Sequence, residues 1–286
     1  MLIEVTELTH VYLRGSPLEV TALRGVDLQV AEGEFLGLIG PTGSGKSTLA
    51  QHLNGLLRPT SGRVVVEGED ISAKRKPLRS LRQKVGLVFQ YPEHQLFEET
   101  VYDDVAFGPR NLGLDEAEVK RRVHWATSLV GLPEEMLSRS PFELSGGQMR
   151  RVAIAGVLAM RPRVLVLDEP AAGLDPRGRR DILGHIRKMH QKEGITVILV
   201  SHNMEDVAEL AQRIVVLHRG EVFLQGPTRK VFGQAERLRG IGLDIPPVTA
   251  LMHQLRHRGL PVRADVLTVE EAEQEIVNHW RQRRPC

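Results

Sequence analysis

The run Gly40-Pro41-Thr42-Gly43-Ser44-Gly45-Lys46-Ser47-Thr48 constrains this chain more than any other stretch. It matches G-x-x-x-x-G-K-[ST], with the apolar run Phe35-Leu36-Gly37-Leu38-Ile39 before it and a segment of helical character after it. Strand, glycine-rich turn and helix in that order bring backbone N–H groups onto a phosphate. The glycines permit close approach, Lys46 reaches the β- and γ-phosphate oxygens, and Ser47 offers its hydroxyl to Mg²⁺. A nucleotide site on an α/β core is the first expectation.

At 286 residues the chain has room for such a core and a small appendage. A net charge of +2 is too mild to argue for a nucleic-acid partner. The one cysteine, Cys286, excludes an internal disulfide and agrees with a reducing compartment. No window approaches the roughly 20 apolar residues of a membrane span. The start, MLIEVTELTHVY, alternates as a strand does and lacks the basic-then-apolar order of a secretory leader. Contact with a membrane through a partner stays open.

Strand patterns fall at residues 2–8, 26–30, 34–39, 64–67, 85–90, 164–167, 196–200, 214–218 and 221–225. A helix over about residues 177–192 separates two of them, and such alternation argues for a mainly parallel sheet. Residues 91–160 are helical in texture and form an expected second lobe, with loops at Gly108-Pro109 and Gly131-Leu132-Pro133. Residues 1–240 are thus one domain with this insert, and residues 241–286 a helical appendix. In the appendix Val248, Leu251, Met252 and Leu255 make a helical stripe stopped by Gly259. Thr268 and Glu271 make a capping box before Ala272, Ile276 and Trp280.

The apolar run Val164-Leu165-Val166-Leu167 delivers Asp168 and Glu169 to the carboxyl end of the sheet, where nucleotides bind. Asp168 is the expected Mg²⁺ residue and Glu169 the expected general base. Gln90 and His202 end two other strand patterns; singly such residues are often structural, but here both fall where a γ-phosphate would be sensed. Gln90 would touch metal or water, and His202 would donate to the phosphate. Tyr12 either stacks on a base or packs against the protein.

A second phosphate grip stands at Glu143-Leu144-Ser145-Gly146-Gly147-Gln148, where a serine and two glycines open a helix over about residues 148–160. A helix start favours an anion through its unpaired N–H groups. The first loop already surrounds one nucleotide, and a separate lobe does not easily fold back over it. A head-to-tail dimer, in which each Ser145 end closes on the other copy's nucleotide, is the economical solution. The segment Ala172-Gly173-Leu174-Asp175 would then lie along the seam.

Taken in order, GPTGSGKST, Gln90, LSGGQ, LVLDEP, AGLD and Ser201-His202 resemble the ATP-binding-cassette ATPases over about residues 2–226. The resemblance implies an ATP hydrolase with Mg²⁺, and Ser145, Gly146, Gly147 and Gln148 serving a neighbour's ATP. Residues 88–113 together with the appendix are similar to ATPase subunits of energy-coupling factor transporters, importers of vitamins and of cobalt or nickel. Thr42 and Gly178 resemble the second of that family's two paralogous ATPases; Pro41 and Ala171 depart slightly from the usual pattern. By this resemblance the partners are a second cassette ATPase, a membrane coupling protein and a small substrate-binding membrane subunit. The place is the cytoplasmic face of the cell membrane. Phe97, Tyr102 and Phe107 line either a docking groove or the lobe core, and the appendix stripes pair with the other ATPase or pack on their own domain.

Three classes of function were weighed: a transport motor, a soluble ATPase acting on ribosomes or DNA, and an ATP-holding clamp without turnover. Soluble relatives usually carry two cassettes, a long coiled-coil insert or strongly basic extensions, none of which this sequence has. Glu169 and His202 argue against the clamp. The motor is the expectation.

Overall fold

The computed structural model describes residues 1–72 and 79–282, so Cys286 lies outside the described residues. The chain opens with β1 (Ile3–Tyr12), β2 (Val20–Val30) and β3 (Phe35–Ile39), then α1 (Lys46–Leu53), β4 (Ser61–Val66) and the short β5 (Glu69–Asp70). Next come α2 (Arg79–Lys84) and β6 (Val85–Val88), followed by the helical insert of α3 (Val101–Asn111), α4 (Glu116–Leu129) and α5 (Gly146–Leu158). β7 (Val164–Asp168), α6 (Pro176–Glu193), β8 (Thr196–Val200), α7 (Met204–Leu210), β9 (Arg213–His218) and β10 (Glu221–Pro227) complete the strands. The C-terminal part is α8 (Thr228–Phe232), α9 (Ala235–Gly240), α10 (Pro247–His257) and α11 (Val269–Gln282).

Among the described residues the strands form two sheets, ordered β10-β9-β3-β8-β7-β6 and β2-β1-β4-β5. In the larger sheet β9, β3, β8, β7 and β6 run parallel, and β10 closes the edge antiparallel to β9. The smaller sheet is wholly antiparallel. Sequence patterns found most of these strands but not that they divide between two sheets, because a strand's own residues do not name its partner.

Alternation along the parallel strands explains the layering. Phe35 and Ile39, Leu165 and Leu167, and Val197 and Leu199 enter one core with the helices of the insert. Their neighbours Leu36 and Leu38, Val164 and Val166, and Ile198 and Val200 enter a second core with α1 and the antiparallel sheet. Strands buried on both faces read as unbroken apolar runs, as these do.

The insert is less separate than its sequence suggests. Val105, Val123 and Val152 share one core with the parallel sheet, so α3, α4 and α5 pack against it. The Gly108-Pro109 loop is also corrected, since both residues lie inside α3. Pro109 lacks an N–H and so leaves the Val105 carbonyl without its helical partner, but it stands only two residues from the end of the helix. Gly108 faces Met160, whose Cγ would stand 2.8 Å from an added Cβ, so packing against that side chain keeps the helix going.

The appendix has its own small cluster of Met252, Val262, Val266 and Ala272, with Val248, Leu255 and Ile276 against it. Leu243 and Ile245 belong instead to the main core, and Ala250 and Leu267 also pack against it, so the appendix rests on the main domain. Arg229 ties the two parts, donating to the Asp265 carbonyl and pairing with the Glu271 carboxylate.

Gly86 of β6 lies directly under α5, and an added Cβ would stand 2.5 Å from Val157 Cγ1. Gly86→Val is therefore expected to destabilise the fold by about 1–3 kcal/mol through overpacking, read as a lower midpoint in equilibrium urea unfolding.

Candidate active site

Register brings the functional residues together. β3 ends in the phosphate loop, β8 lies beside it with Leu38 opposite Val200, and β7 follows with Asp168 opposite Val200. Three carboxyl ends therefore line up on one edge, which sets Lys46, Asp168, Glu169 and His202 around one space.

The phosphate loop takes a shape that only glycine accepts at key points. Gly43 and Gly45 have φ of 75° and 102°, and a Cβ at Gly45 would stand 2.7 Å from the Ala22 carbonyl oxygen. Pro41 offers its carbonyl to Ser44 N–H at 3.1 Å, while Thr42 and Gly43 at the tip are exposed. Lys46 Nζ donates to the Gly40 and Pro41 carbonyls at 2.8 and 3.0 Å. The Ser44 hydroxyl is buried in the loop without a hydrogen-bond partner, as suits a group that a phosphate oxygen would meet.

Asp168 is buried and accepts a hydrogen bond from Ser47. Burial pushes its carboxyl above the ordinary range, against the pull of Ser47 and Lys46. Glu169 is likewise raised, first by burial, with His202 opposing. Lys46 is lowered by burial, with Glu169 and Asp168 pulling the other way. All three groups are short of solvation in the absence of ligand. The set of hydroxyl and carboxylate oxygens at Ser47 and Asp168 suits a hard cation such as Mg²⁺.

Glu169 sits in left-handed backbone at φ 52°, which costs a non-glycine residue about 1–2 kcal/mol. Its N–H is held by the Val200 carbonyl at 2.9 Å and its own carbonyl accepts from Ala172 N–H at 3.1 Å. His202 Nδ1 lies 2.7 Å from Glu169 Oε1, with the imidazole 72% exposed and the carboxylate only 13% exposed. An ionised carboxylate accepts, so Nδ1 carries the proton and Nε2 is left to face outward.

Gln90 is exposed two residues beyond the end of β6, not within it. Tyr12 lies against α1: its hydroxyl is 3.2 Å from Thr48 Oγ1 and its ring meets His10 edge-on at 4.4 Å. His10 in turn contacts His52 at 3.1 Å, and His52 Nδ1 reaches the Thr48 carbonyl at 2.7 Å. This buried histidine pair behind the loop was missed; its sequence signal is a histidine on each of two apolar faces.

Ser145 caps α5 in a full capping box, its Oγ accepting from Gln148 N–H at 3.4 Å and Gln148 Oε1 accepting from Ser145 N–H at 2.9 Å. Ser145 and Gly146 are exposed, and an added Cβ at Gly146 would meet nothing within 4 Å. Arg150, one turn on, is 1% exposed and ion-paired with Glu93. That pair too escaped the sequence reading, although Arg150 shares the buried stripe of Ile154 and Leu158 at spacing four.

One chain thus holds a phosphate-loop face with its acids and, on the insert, a capped helix N-terminus open to solvent. This division of labour is that of the ATP-binding cassettes. A family model described as ABC transporter matches residues 23–172. The "Energy-coupling factor transporter ATP-binding protein EcfA2" of Caldanaerobacter subterraneus subsp. tengcongensis is 54% identical over 98% of this chain and 98% of its own length. Among solved structures, cbiO1 from Clostridium perfringens, "part of the ABC transporter complex cbiONQ", is 40% identical with a TM-score of 0.75, covering 88% of this chain and 98% of its own. The ATP-binding cassette MJ0796, in a dimeric post-hydrolysis state bound to ADP and Pi, is 29% identical with a TM-score of 0.71, covering 79% and 98%. The chain belongs to the ATP-binding proteins of energy-coupling factor transporters, a branch of the ABC ATPases.

A carboxyl whose folded pKa is raised contributes stability at low pH that is lost as pH rises through the folded value. Asp168 is such a group, so neutralising it relieves a cost in the nucleotide-free protein. Asp168→Asn is expected to raise the thermal midpoint at pH 8 without nucleotide, with the gain shrinking as pH falls through the raised folded value and vanishing on reaching the ordinary carboxylate range; calorimetry across pH 4–8 checks it.

Proposed function

We propose that this chain is one of two cassettes that close on a shared pair of ATP molecules beneath a membrane coupling protein, driving uptake of a vitamin or of cobalt or nickel. The observation that carries the hydrolytic reading is the Glu169–His202 contact at the mouth of the phosphate loop. Gly40, Pro41, Thr42, Gly43, Ser44, Gly45 and Thr48 shape or line the loop, and Lys46 turns from its carbonyls to the β- and γ-phosphates. Ser47, Asp168 and Gln90 would hold Mg²⁺, which would offset phosphate charge. Tyr12 stands beside the base.

In the reaction, the water oxygen bonds to the γ-phosphorus as the bond to the ADP oxygen breaks. Glu169 accepts the water proton, and burial, by raising its pKa, makes it a stronger base than a free carboxylate. His202 first orients Glu169 through its Nδ1–H, then turns that same N–H to donate to the γ-phosphate. Ser145, Gly146, Gly147 and Gln148 act on the other cassette's ATP; the capping box uses Ser145 Oγ only as an acceptor, leaving its O–H to donate outward. The dimeric state of the similar cassette MJ0796 supports this arrangement.

Among the described residues no helix is long and apolar enough to cross a membrane, so the chain would sit peripherally on the cytoplasmic face, held by its partners. A groove of about 800 Å³ between the insert and the sheet domain is where a coupling protein would press. Phe97 and Phe107 line it, stacked edge-to-face at 4.9 Å. Tyr102 does not; it packs against the main core under Arg110. The exposed Leu251, Val269, Val277 and Trp280 of the appendix would meet the partner cassette.

Glu169→Gln is expected to lower turnover by about 10²- to 10⁴-fold while ATP binding persists, and to accumulate an ATP-dependent dimer on size exclusion. Wild-type turnover in that variant sinks the catalytic assignment. Removing residues 247–286 takes from the main core only the partly buried Ala250 and Leu267 and is expected to weaken the nucleotide-free pairing of cassettes; an unchanged dimer by analytical ultracentrifugation rules out the appendix as the clasp.

A further inference from the structure

Arg150 ties together three segments that are distant in sequence. Its Nε and Nη2 fork onto the Glu93 carboxylate at 3.0 and 2.6 Å, and its Nη1 donates to the Pro170 and Ala172 carbonyls at 3.1 and 2.6 Å. Glu93 belongs to the short turn after Gln90, and Pro170 and Ala172 to the turn that begins at Glu169. Arg150 itself stands one turn into the helix capped by Ser145.

Tyr91 completes the cluster. Its ring lies under the Arg150 guanidinium at 5.9 Å, and an added Cβ at Gly173 would touch it at 3.6 Å. Tyr91 is also in left-handed backbone, φ 56°, as is Glu169 at 52°. Two strained residues therefore flank one buried guanidinium that makes four hydrogen bonds. Burial alone would push the Glu93 carboxyl up, yet the Arg150 hydrogen bonds and Glu93's own backbone N–H hold it below the ordinary range. Such a forked pair is directional, and breaking one side leaves a buried charge without its partner.

Resting on the hydrolytic reading above, we propose that Arg150 is a positioning residue for ATP hydrolysis. It fastens the Ser145 helix start, the turn after Gln90 and the turn carrying Glu169 into one body. Movement of the helical insert towards a second cassette's nucleotide then sets the Glu169 carboxylate at the same time. Arg150 touches no substrate; it acts through Glu93 and the two carbonyls. The phosphate loop is not part of the fastened body, so binding of ATP to Lys46 and its loop does not depend on it.

The test uses the full-length chain in the complex in which it purifies. Glu93→Gln keeps the shape of the acid and removes its charge; Arg150→Lys keeps the cation and removes the fork. Each is expected to lower kcat by about ten- to hundredfold, the scale set by small misplacements of reacting groups, with KM for ATP and equilibrium binding of a fluorescent ATP analogue within about twofold of wild type. Val123→Ala, a core change in α4 away from the cluster, controls for stability: it is expected to lower the thermal midpoint but keep kcat at an assay temperature well below unfolding. Turnover within about twofold of wild type in Glu93→Gln and Arg150→Lys overturns the proposal, as does a kcat loss that follows the thermal midpoint or comes with lost ATP binding. Glu169→Gln is assayed alongside. If it keeps wild-type turnover, the hydrolytic reading itself fails; if it loses turnover while the Glu93 and Arg150 variants do not, only the fastening role falls.

Discussion

Parallel strands buried on both faces are the constraint on which the rest depends. β3, β7 and β8 must stay in register to satisfy their backbone hydrogen bonds, and each must present apolar side chains up and down. Polar residues are admitted only where the strands stop. The phosphate loop, Asp168, Glu169 and His202 all follow directly from strand ends, so the site is a by-product of where apolar alternation runs out.

The same burial that stabilises the sheet leaves its edge electrostatically unsettled. Lys46, Asp168 and Glu169 are each displaced from their ordinary pKa in the direction that disfavours charge. Opposite charges nearby reduce the penalty without cancelling it. A ligand bringing both phosphate oxygens and a cation supplies the solvation that the protein withholds. Part of the binding energy is thus available before any conformational change, because the site is poorly solvated when it is alone.

What the sequence made legible was the chemistry written in contiguous residues. Gly40 to Ser47 specifies a loop through its glycines, and Val164 to Asp168 specifies a strand through its unbroken apolar run. Less legible was whatever depends on residues far apart. The antiparallel sheet of β2, β1, β4 and β5 could not be separated from the parallel one, since alternation reveals a face and not a neighbour. Gly108-Pro109 looked like a break until Met160 was seen to pack there. Arg150 is instructive because its stripe was readable, but a charge on that stripe gains its meaning only from Glu93, 57 residues away.

The appendix differs from the body in how much holds it closed. Four buried residues and three partly buried ones named above make up most of its interior, and the Arg229 links join it to a core many times larger. In the language of native-state amide exchange, the amides of α10 and α11 are expected to lose protection before those of either sheet, because so little apolar surface closes them. Opening of that kind would disturb chiefly the small core, while the nucleotide site keeps the protection of the whole fold.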